Sequence, residues 1–419
     1  MSPYSLLLCA EPTLGVLGGG QLGRMFVQAA QQMGFFTAVL DPDPLSPAGR
    51  VSHHHIQTAY TDTDGLQQLA QRCVAVTTEF ENVPAQSLAA LAQTVTVSPA
   101  ADCVAISQDR AREKSYFANC GVPVAPYAVI ETAEQFAAVV GDLSAAPGRL
   151  KQADFSFGGS ELHAVTSVGA DLFPGILKTS RMGYDGKGQA RVADRDALAA
   201  AWAALDGVPC VLEKMLSLQM ECSVIVARGA DGACVNLPAQ LNLHRDGILA
   251  VTEVYEGNLP VALVERAVAA AKSIASGLNY VGVLCVEFFV LDPTSPAALQ
   301  LGGLVVNEMA PRPHNSGHYS MDACDVSQFA LQVRTLAGLP LTQPRQHSPS
   351  IMLNLLGDIW PAPDFKAVLA LPGTHLHLYG KAHAAKGRKM GHLTVTGATI
   401  DAVRATALQA AAILGIEAF

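Results

Sequence analysis

Short apolar runs alternate with longer segments of helical period along this chain. Leu14-Gly15-Val16-Leu17, Phe36-Thr37-Ala38-Val39-Leu40 and Val74-Ala75-Val76-Thr77-Thr78 are apolar over strand length, and that length with flanking turn residues predicts strands. A helical segment from Arg24 to about Met33 lies between the first two, so residues 13–41 predict a βαβ unit. Val95-Thr96-Val97 predicts the last strand of this region. Residues 106–120 predict an amphipathic helix whose charges, Asp109, Arg110, Arg112, Glu113 and Lys114, are expected to be mostly solvated. Gly121-Val122-Pro123-Val124-Ala125-Pro126 marks a linker.

From about Leu143 to Ala170 the chain predicts a hairpin or a long excursion rather than a core element. Strands follow at Phe173–Leu177, at Cys210–Leu216, where the strand runs into a connector, and at Glu221–Ala227. Helices are predicted over 194–205 and 261–277, and residues 234–255 alternate strand and turn. Tyr280–Val290 and Leu304–Met309, joined by a Pro/Ser/Gly-rich turn, predict an antiparallel pair. Residues 322–337 predict a helix, with Pro340 and Pro344 marking a boundary. Beyond it come short strands at Ile351–Asn354 and His375–Tyr379 and a basic loop from Gly380 to His392. The fold class is therefore α/β and α+β.

Composition narrows the function classes. A chain of 419 residues has room for about three domains. The net charge of −9, from 27 basic and 36 acidic residues, argues against a nucleic-acid binder, so any anion site must be a local basic pocket. The nine cysteines are scattered with no C-x-x-C pair, which disfavours a disulfide framework and makes most of them small core residues. No run reaches bilayer-spanning length, and Leu6-Leu7-Leu8 is too short for a signal core. A soluble, cytoplasmic protein without a membrane partner is expected.

Candidate chemistry gathers in a few stretches. Lys178-Thr179-Ser180-Arg181-Met182-Gly183-Tyr184-Asp185-Gly186-Lys187-Gly188-Gln189 is a loop of glycines and cations after a strand. Such a loop can cradle polyphosphate on its backbone amides, or it can be a hairpin tip with solvated charges. Gly18-Gly19-Gly20-Gln21-Leu22-Gly23 fits G-x-G-x-x-G, with Asp41 where an acid could hold a ribose. On its face that suggests NAD, although the same turn can hold any phosphate at a helix N-terminus. His53-His54-His55 reads better as a surface run than as a metal site, because strand side chains alternate. Glu79 and Glu81 end a strand where open sheets bind ligands; Glu81 could equally cap the next helix.

Glu287 and Glu308 each interrupt an apolar strand, with Asn307 adjacent. Two buried carboxylates on neighbouring strands need a cation between them, and hard oxygen ligands suit Mg²⁺. The alternative is two ion pairs with arginines. Lys381, Arg388 and Lys389 suit an anionic substrate group or a solvated loop. Arg312, His314 and Asn315 could hold a small planar anion.

Together these parts resemble the ATP-grasp superfamily of ligases, in particular the 5-(carboxyamino)imidazole ribonucleotide synthases of purine biosynthesis. The stretches that carry the resemblance are Gly15–Met25, Glu79-Phe80-Glu81-Asn82-Val83-Pro84, Ser107–Arg110, Leu177–Gln189, Asn242–Ile248, Asn307–His318 and Leu378–Gly391. The resemblance implies a Rossmann-like pre-ATP-grasp domain over 1–110, an ATP-grasp lid subdomain over 111–215, an Mg/ATP subdomain over 216–345 and a small β-rich domain over 346–419. It implies ATP held by Arg110, Lys178, the loop Gly183, Tyr184, Asp185, Gly186, Lys187, Gly188 and Gln189, the connector Glu213, Lys214, Met215 and Leu216, and by Glu221, His244, Asn307 and Glu308. Glu287 and Glu308 would bind Mg²⁺. Bicarbonate would sit near Asp185, Arg312, His314 and Asn315, and Gln21, Glu79, Tyr184, Lys381 and Arg388 would contact aminoimidazole ribonucleotide. Asp185, Lys187, Arg312, His314, Asn315 and Lys381 would serve catalysis, and the glycine stretch is a candidate lid. A homodimer is implied. The segment near 143–170 departs from the family, whose members pass more directly to the strand before Lys178. The competing readings are another ATP-grasp ligase (a formate-using transformylase or a biotin carboxylase), an NAD-dependent dehydrogenase and a non-catalytic nucleotide sensor.

Overall fold

The computed structural model describes residues 11–140, 154–157, 160–163, 172–183, 188–360 and 363–419. The N-terminal region alternates strand and helix: β1 (Thr13–Leu17), α1 (Gln21–Gln32), β2 (Phe36–Leu40), β3 (His54–Ile56), α2 (Thr63–Arg72), β4 (Ala75–Thr78), α3 (Ala85–Leu91) and β5 (Thr96–Val97). The strands form a parallel sheet in the order β3-β2-β1-β4-β5. β1 is buried along its whole length, which explains its unbroken apolar sequence. Helix α1 starts at Gln21, not Arg24, because Gly20 is its N-cap. Gly23 sits where a Cβ would come within 2.7 Å of the Gly18 carbonyl, so the helix can pass this close to the strand only with glycine there.

The segment expected as one helix over 106–120 is two: α4 (Ala101–Ser107) and α5 (Arg110–Asn119). The break has a local cause. The Asp109 side chain accepts from the Ala111 and Arg112 amides and so starts a new helix. The expectation of solvated charges fails here as well, since Glu113 is 3% and Lys114 0% exposed. Next come β6 (Tyr127–Ile130), α6 (Ala133–Val140), a two-stranded hairpin of β7 (Asp154–Phe157) and β8 (Ser160–His163), β9 (Gly175–Thr179), β10 (Gln189–Val192), α7 (Arg195–Ala204) and β11 (Cys210–Lys214). A four-stranded antiparallel sheet, β10-β9-β11-β6, has α6 and α7 packed on it, with Phe136 stacked on Trp202 at 4.4 Å. The glycine loop is thus the connection of the β9–β10 hairpin.

The third sheet is the largest. It is built from β12 (Leu218–Arg228), β13 (Cys234–Asn236), β14 (Gln240–Arg245) and β15 (Ile248–Val254), then α8 (Val261–Gly277), β16 (Gly282–Leu291), α9 (Pro296–Leu301) and β17 (Leu304–Ala310). After a 3₁₀ turn at Asn315–Gly317, the helix expected over 322–337 is split into α10 (Ser320–Ala323) and α11 (Gln328–Leu336), the latter capped by Ser327. The chain ends with β18 (Ser350–Leu356), α12 (Phe365–Leu369), β19 (Thr374–Leu378), β20 (Lys389–Thr396) and α13 (Ile400–Leu414). The strand order β17-β16-β12-β14-β15-β18-β20-β19 runs unbroken through this part, with β13 added beside β12. The supposed basic loop therefore ends at Lys389, and His392 lies inside β20.

Helix α8 covers one side of β12 and β16, and α13 covers β18 and β20. Helix α11 packs against α1 through Phe329, Val333 and Leu336, which fastens the large sheet to the N-terminal one. Eight cysteines lie among the described residues, all free and mostly buried, as their apolar surroundings predict.

Candidate active site

The glycine turn after β1 is already filled by the chain's own carboxylates. Gly19 N donates to Asp41 Oδ2 at 2.7 Å, and Tyr60 Oη donates to the same oxygen at 2.6 Å. The amides of Gly20 and Leu22 donate to the two oxygens of Glu79. Asp41 therefore does not stand ready for a ribose, and the amides that would receive a dinucleotide phosphate are occupied. Both features contradict the NAD reading. Burial raises the Glu79 carboxyl to about 7, against the pull of the Gly20 amide and with help from nearby Asp41. Of the three adjacent histidines, His53 Nδ1 accepts from Thr37 N at 3.1 Å and His55 Nε2 lies 3.1 Å from the Asp41 carbonyl, so both serve the local loop.

A cation cluster surrounds Glu213 on β11. Lys178 Nζ, from β9, donates to Glu213 Oε2 at 3.1 Å. Lys114 Nζ stands 3.2 Å from the same oxygen, and Arg110 Nη1 lies 3.9 Å from Oε1. Burial works to raise the Glu213 carboxyl, and the three cations overcome it and hold the group at about 2. Lys178 is lowered, by burial first, with Arg110 and Lys114 adding to the effect against the attraction of Glu213. Arg110 also links this cluster to the next one, donating from Nη2 to Glu308 Oε2 at 3.2 Å. Its helix is tied to the glycine loop, since Arg110 N donates to the Ser180 carbonyl at 2.9 Å.

Glu287 and Glu308 face one another as register partners across β16 and β17. They are not simply two arginine pairs. Glu308 has Arg110, whereas Glu287 Oε1 lies 3.0 Å from His314 Nε2. Burial opposes ionisation of Glu287, and His314 with His244 outweighs it and holds this carboxyl below the usual range. Asn307 Oδ1 is buried with no hydrogen-bond partner among the described residues, the state expected of an oxygen ligand waiting for a cation. Glu113 accepts from Met309 N at 2.8 Å and so pins the strand beside Glu308; burial raises its carboxyl to about 8. On the neighbouring strands His244 Nδ1 stands 3.1 Å from Glu221 Oε2.

Past β17, Arg312 Nε donates to Glu81 Oε2 at 2.5 Å. His314 Nδ1 lies 2.9 Å from Ser316 Oγ, and Asn315 and Asn354 exchange side-chain hydrogen bonds of 3.0 and 2.6 Å. In the loop before β20, Lys381 Nζ donates to the Lys389 carbonyl and Arg388 Nη1 to the His383 carbonyl, both at 2.7 Å. One cleft of about 730 Å³ is lined by Gln21, Glu79, Arg110, Gly183, Glu287, Glu308, Arg312, His314, Asn315, Lys381 and Arg388.

Lys178, Gly188, Gln189, Glu213, Lys214, Met215, Leu216, Glu221, His244 and Asn307 do not line that cleft. Tyr184, Asp185, Gly186 and Lys187 fall outside the described residues. The sequence reading did not single out Glu113 and Lys114 for the site; it set Glu81 where open sheets bind ligands, with a helix cap as the alternative. The spacing of Arg110, Glu113 and Lys114, three and four apart, does place all three on one helix face, and that was the available signal.

Among the described residues no helix is long and apolar enough to cross a membrane. Residues 12–108 match the ribonucleotide synthetase preATP-grasp domain, 160–329 the ATP-grasp domain, and 350–406 the phosphoribosylaminoimidazole carboxylase C-terminal domain. The chain is 40% identical over 385 residues to the N5-carboxyaminoimidazole ribonucleotide synthase of Brucella melitensis, covering 91% of this chain and 95% of that protein. It is 35% identical over 381 residues to the same enzyme of Bacillus subtilis, covering 91% and 90%. Among solved structures, the ADP complex of a PurK N5-carboxyaminoimidazole ribonucleotide synthetase superposes with a TM-score of 0.82 at 34% identity, covering 97% of this chain and 98% of that one. The Aspergillus clavatus enzyme in complex with ADP and 5-aminoimidazole ribonucleotide gives 0.80 at 29% identity, covering 97% and 99%. With these likenesses over nearly its whole length, and with the cleft built from all three matched regions, the chain belongs to the N5-carboxyaminoimidazole ribonucleotide synthase family of ATP-grasp ligases.

Proposed function

We propose that this chain carboxylates the amine of 5-aminoimidazole ribonucleotide in purine biosynthesis, using ATP and bicarbonate and passing through carboxyphosphate. One observation carries the reading. A single cleft is lined by the carboxylates Glu287 and Glu308, by Arg312, His314 and Asn315, and by Lys381 and Arg388. Nucleotide phosphates, a small oxyanion and a phosphorylated substrate need these groups together.

In this reading Arg110 and Lys178 take the ATP phosphates with the glycine loop, the connector Glu213–Leu216 lies at the adenine, and Glu221 and His244 lie near the ribose. Glu287 and Glu308 hold Mg²⁺ with the orphaned Asn307 oxygen beside them, and the ion, when bound, neutralises charge on the polyphosphate. Arg312, His314 and Asn315 orient bicarbonate. Its oxygen attacks the γ-phosphorus, the bond to ADP breaks, and carboxyphosphate forms. Carboxyphosphate releases phosphate and CO₂, and the substrate amine captures CO₂ as a carbamate with loss of a proton. Gln21, Glu79, Lys381 and Arg388 position the ribonucleotide so that the amine meets CO₂ before water does. Catalysis here is chiefly positioning and electrostatics.

Purine synthesis by such a ligase belongs in the cytoplasm, and the resemblance favours a homodimer divided as 1–110, 111–215, 216–345 and 346–419. The test is substrate dependence. ADP release should require bicarbonate and aminoimidazole ribonucleotide together. Turnover indifferent to the ribonucleotide would instead favour another ATP-grasp ligase.

A further inference from the structure

Apart from Glu113, which pins β17 through Met309 N, the cleft wall carries one carboxylate that the roles above leave unused. Glu81 lies in the loop after β4, in the N-terminal region, yet its partner Arg312 follows β17 in the large sheet, 231 residues away. The loop is not free to drift. The Gln108 side-chain amide donates to the Glu81 and Val83 carbonyls at 2.6 and 2.7 Å, and so fixes the backbone on either side of Asn82. Glu81 therefore reaches Arg312 from a braced support.

Which atoms are engaged matters. Glu81 takes Nε of the guanidinium, and the Pro313 carbonyl takes Nη1 at 3.1 Å. Among the described residues Nη2 donates to no protein acceptor, and Arg312 lines the cleft. A guanidinium held on two of its nitrogens cannot rotate about its own axis, and the N–H groups of its third nitrogen, Nη2, point along fixed lines. The pair is also close to neutral as a unit, so an oxyanion meeting Nη2 is oriented without being trapped by an unbalanced charge.

We propose that Glu81 is a positioning residue for bicarbonate, acting through Arg312: it clamps Nε so that Nη2 is presented to the oxyanion. The inference rests on Arg312, His314 and Asn315 forming the bicarbonate site. Its opposite, in which Glu81 competes with bicarbonate for Arg312, predicts the reverse effect and is an outcome of the same test.

The experiment is steady-state kinetics with bicarbonate, ATP and ribonucleotide varied in turn, on Glu81→Ala, Glu81→Gln and Arg312→Lys. For Glu81→Ala, KM for bicarbonate should rise roughly tenfold, the scale of one charge-assisted hydrogen bond, while KM for ATP stays within about twofold. Glu81→Gln keeps an oxygen acceptor for Nε and should recover most of the loss, whereas Glu81→Leu removes the acceptor while filling the space and takes the place of Glu81→Ala if that variant does not fold. An unchanged or lowered KM for bicarbonate in the variant that lacks the acceptor overturns the proposal. Arg312→Lys separates the two levels. If it raises KM for bicarbonate while the Glu81 variants do not, only the positioning role fails. If it leaves that KM unchanged, the bicarbonate site itself is misplaced.

Discussion

Lys178 and Lys114 stand 3.1 and 3.2 Å from one and the same oxygen, Oε2 of Glu213. One carboxylate thus keeps two buried ammonium groups, and Arg110 beside them, in place. Removing its charge leaves the two ammonium groups without their paired carboxylate. Glu213→Gln should therefore destabilise the fold by about 3–5 kcal/mol, the cost of breaking a buried pair from one side. Denaturant unfolding of the variant against the parent measures it.

Acid should unfold the protein through the same kind of group. Glu213 and Glu81 are held at about 2 in the folded state, below the ordinary carboxyl value of 4.5. For Glu81, burial works upward and the Arg312 guanidinium carries it down. A depressed carboxyl contributes stability that is present above its unfolded pKa and lost as pH falls through the folded one. Stability should drop between about pH 4.5 and about 2, and the Glu213→Gln variant should lose less over that window than the parent.

Glu79 gives the opposite slope. Its folded value of about 7, raised chiefly by burial, lies above the unfolded one, so the folded state binds the extra proton in between. Stability should fall as pH rises from about 4.5 to about 7, in part through this group. Glu113, raised to about 8 by burial, acts in the same direction. Glu79→Gln should flatten the slope without abolishing it, which thermal melts across pH 5 to pH 8 would show.

Glu308→Gln should lower ATP turnover by about 100-fold or more, on the scale of losing one preorganised electrostatic contact to a transferring group. Arg110 would lose its 3.2 Å partner as well, so KM for ATP should shift along with kcat. Single-turnover ADP release at several Mg²⁺ concentrations checks this. Near-parental turnover would show that the Glu308 carboxylate does not serve the phosphoryl transfer.

Gly23→Ala should cost about 1–3 kcal/mol, because the added Cβ would lie 2.7 Å from the Gly18 carbonyl, a backbone atom that cannot swing aside. The unfolding midpoint reports it.

In the N-terminal sheet β1, β2 and β4 were legible because they are buried along nearly their whole length, so burial wrote unbroken apolar runs into the sequence. The carboxylates at Glu287 and Glu308 were legible for the related reason that a charge inside such a run must have a partner. The charges of α5 misled, because what buries them comes from far along the chain. Glu113 meets Met309 across 196 residues, and a helix read alone does not show what will cover it. Glu81 and Arg312 were each visible as polar residues at strand ends, but their pairing is a product of topology. In the glycine turn, the motif was right and the NAD it suggests on its face was not. The amides are filled by Asp41 and Glu79, which only the folded neighbourhood reveals.

The unbroken sheet from β17 to β19 has a mechanical consequence. Glu308 and Glu287 ride on its first two strands, and Lys389 begins a strand near the far edge. In the proposed reading, a ladder of hydrogen bonds sets the distance between the nucleotide end and the ribonucleotide end, as graduations fix a ruler. A motion that closed the cleft would leave that span unchanged, and so would fall to the separate four-stranded sheet that carries Lys178.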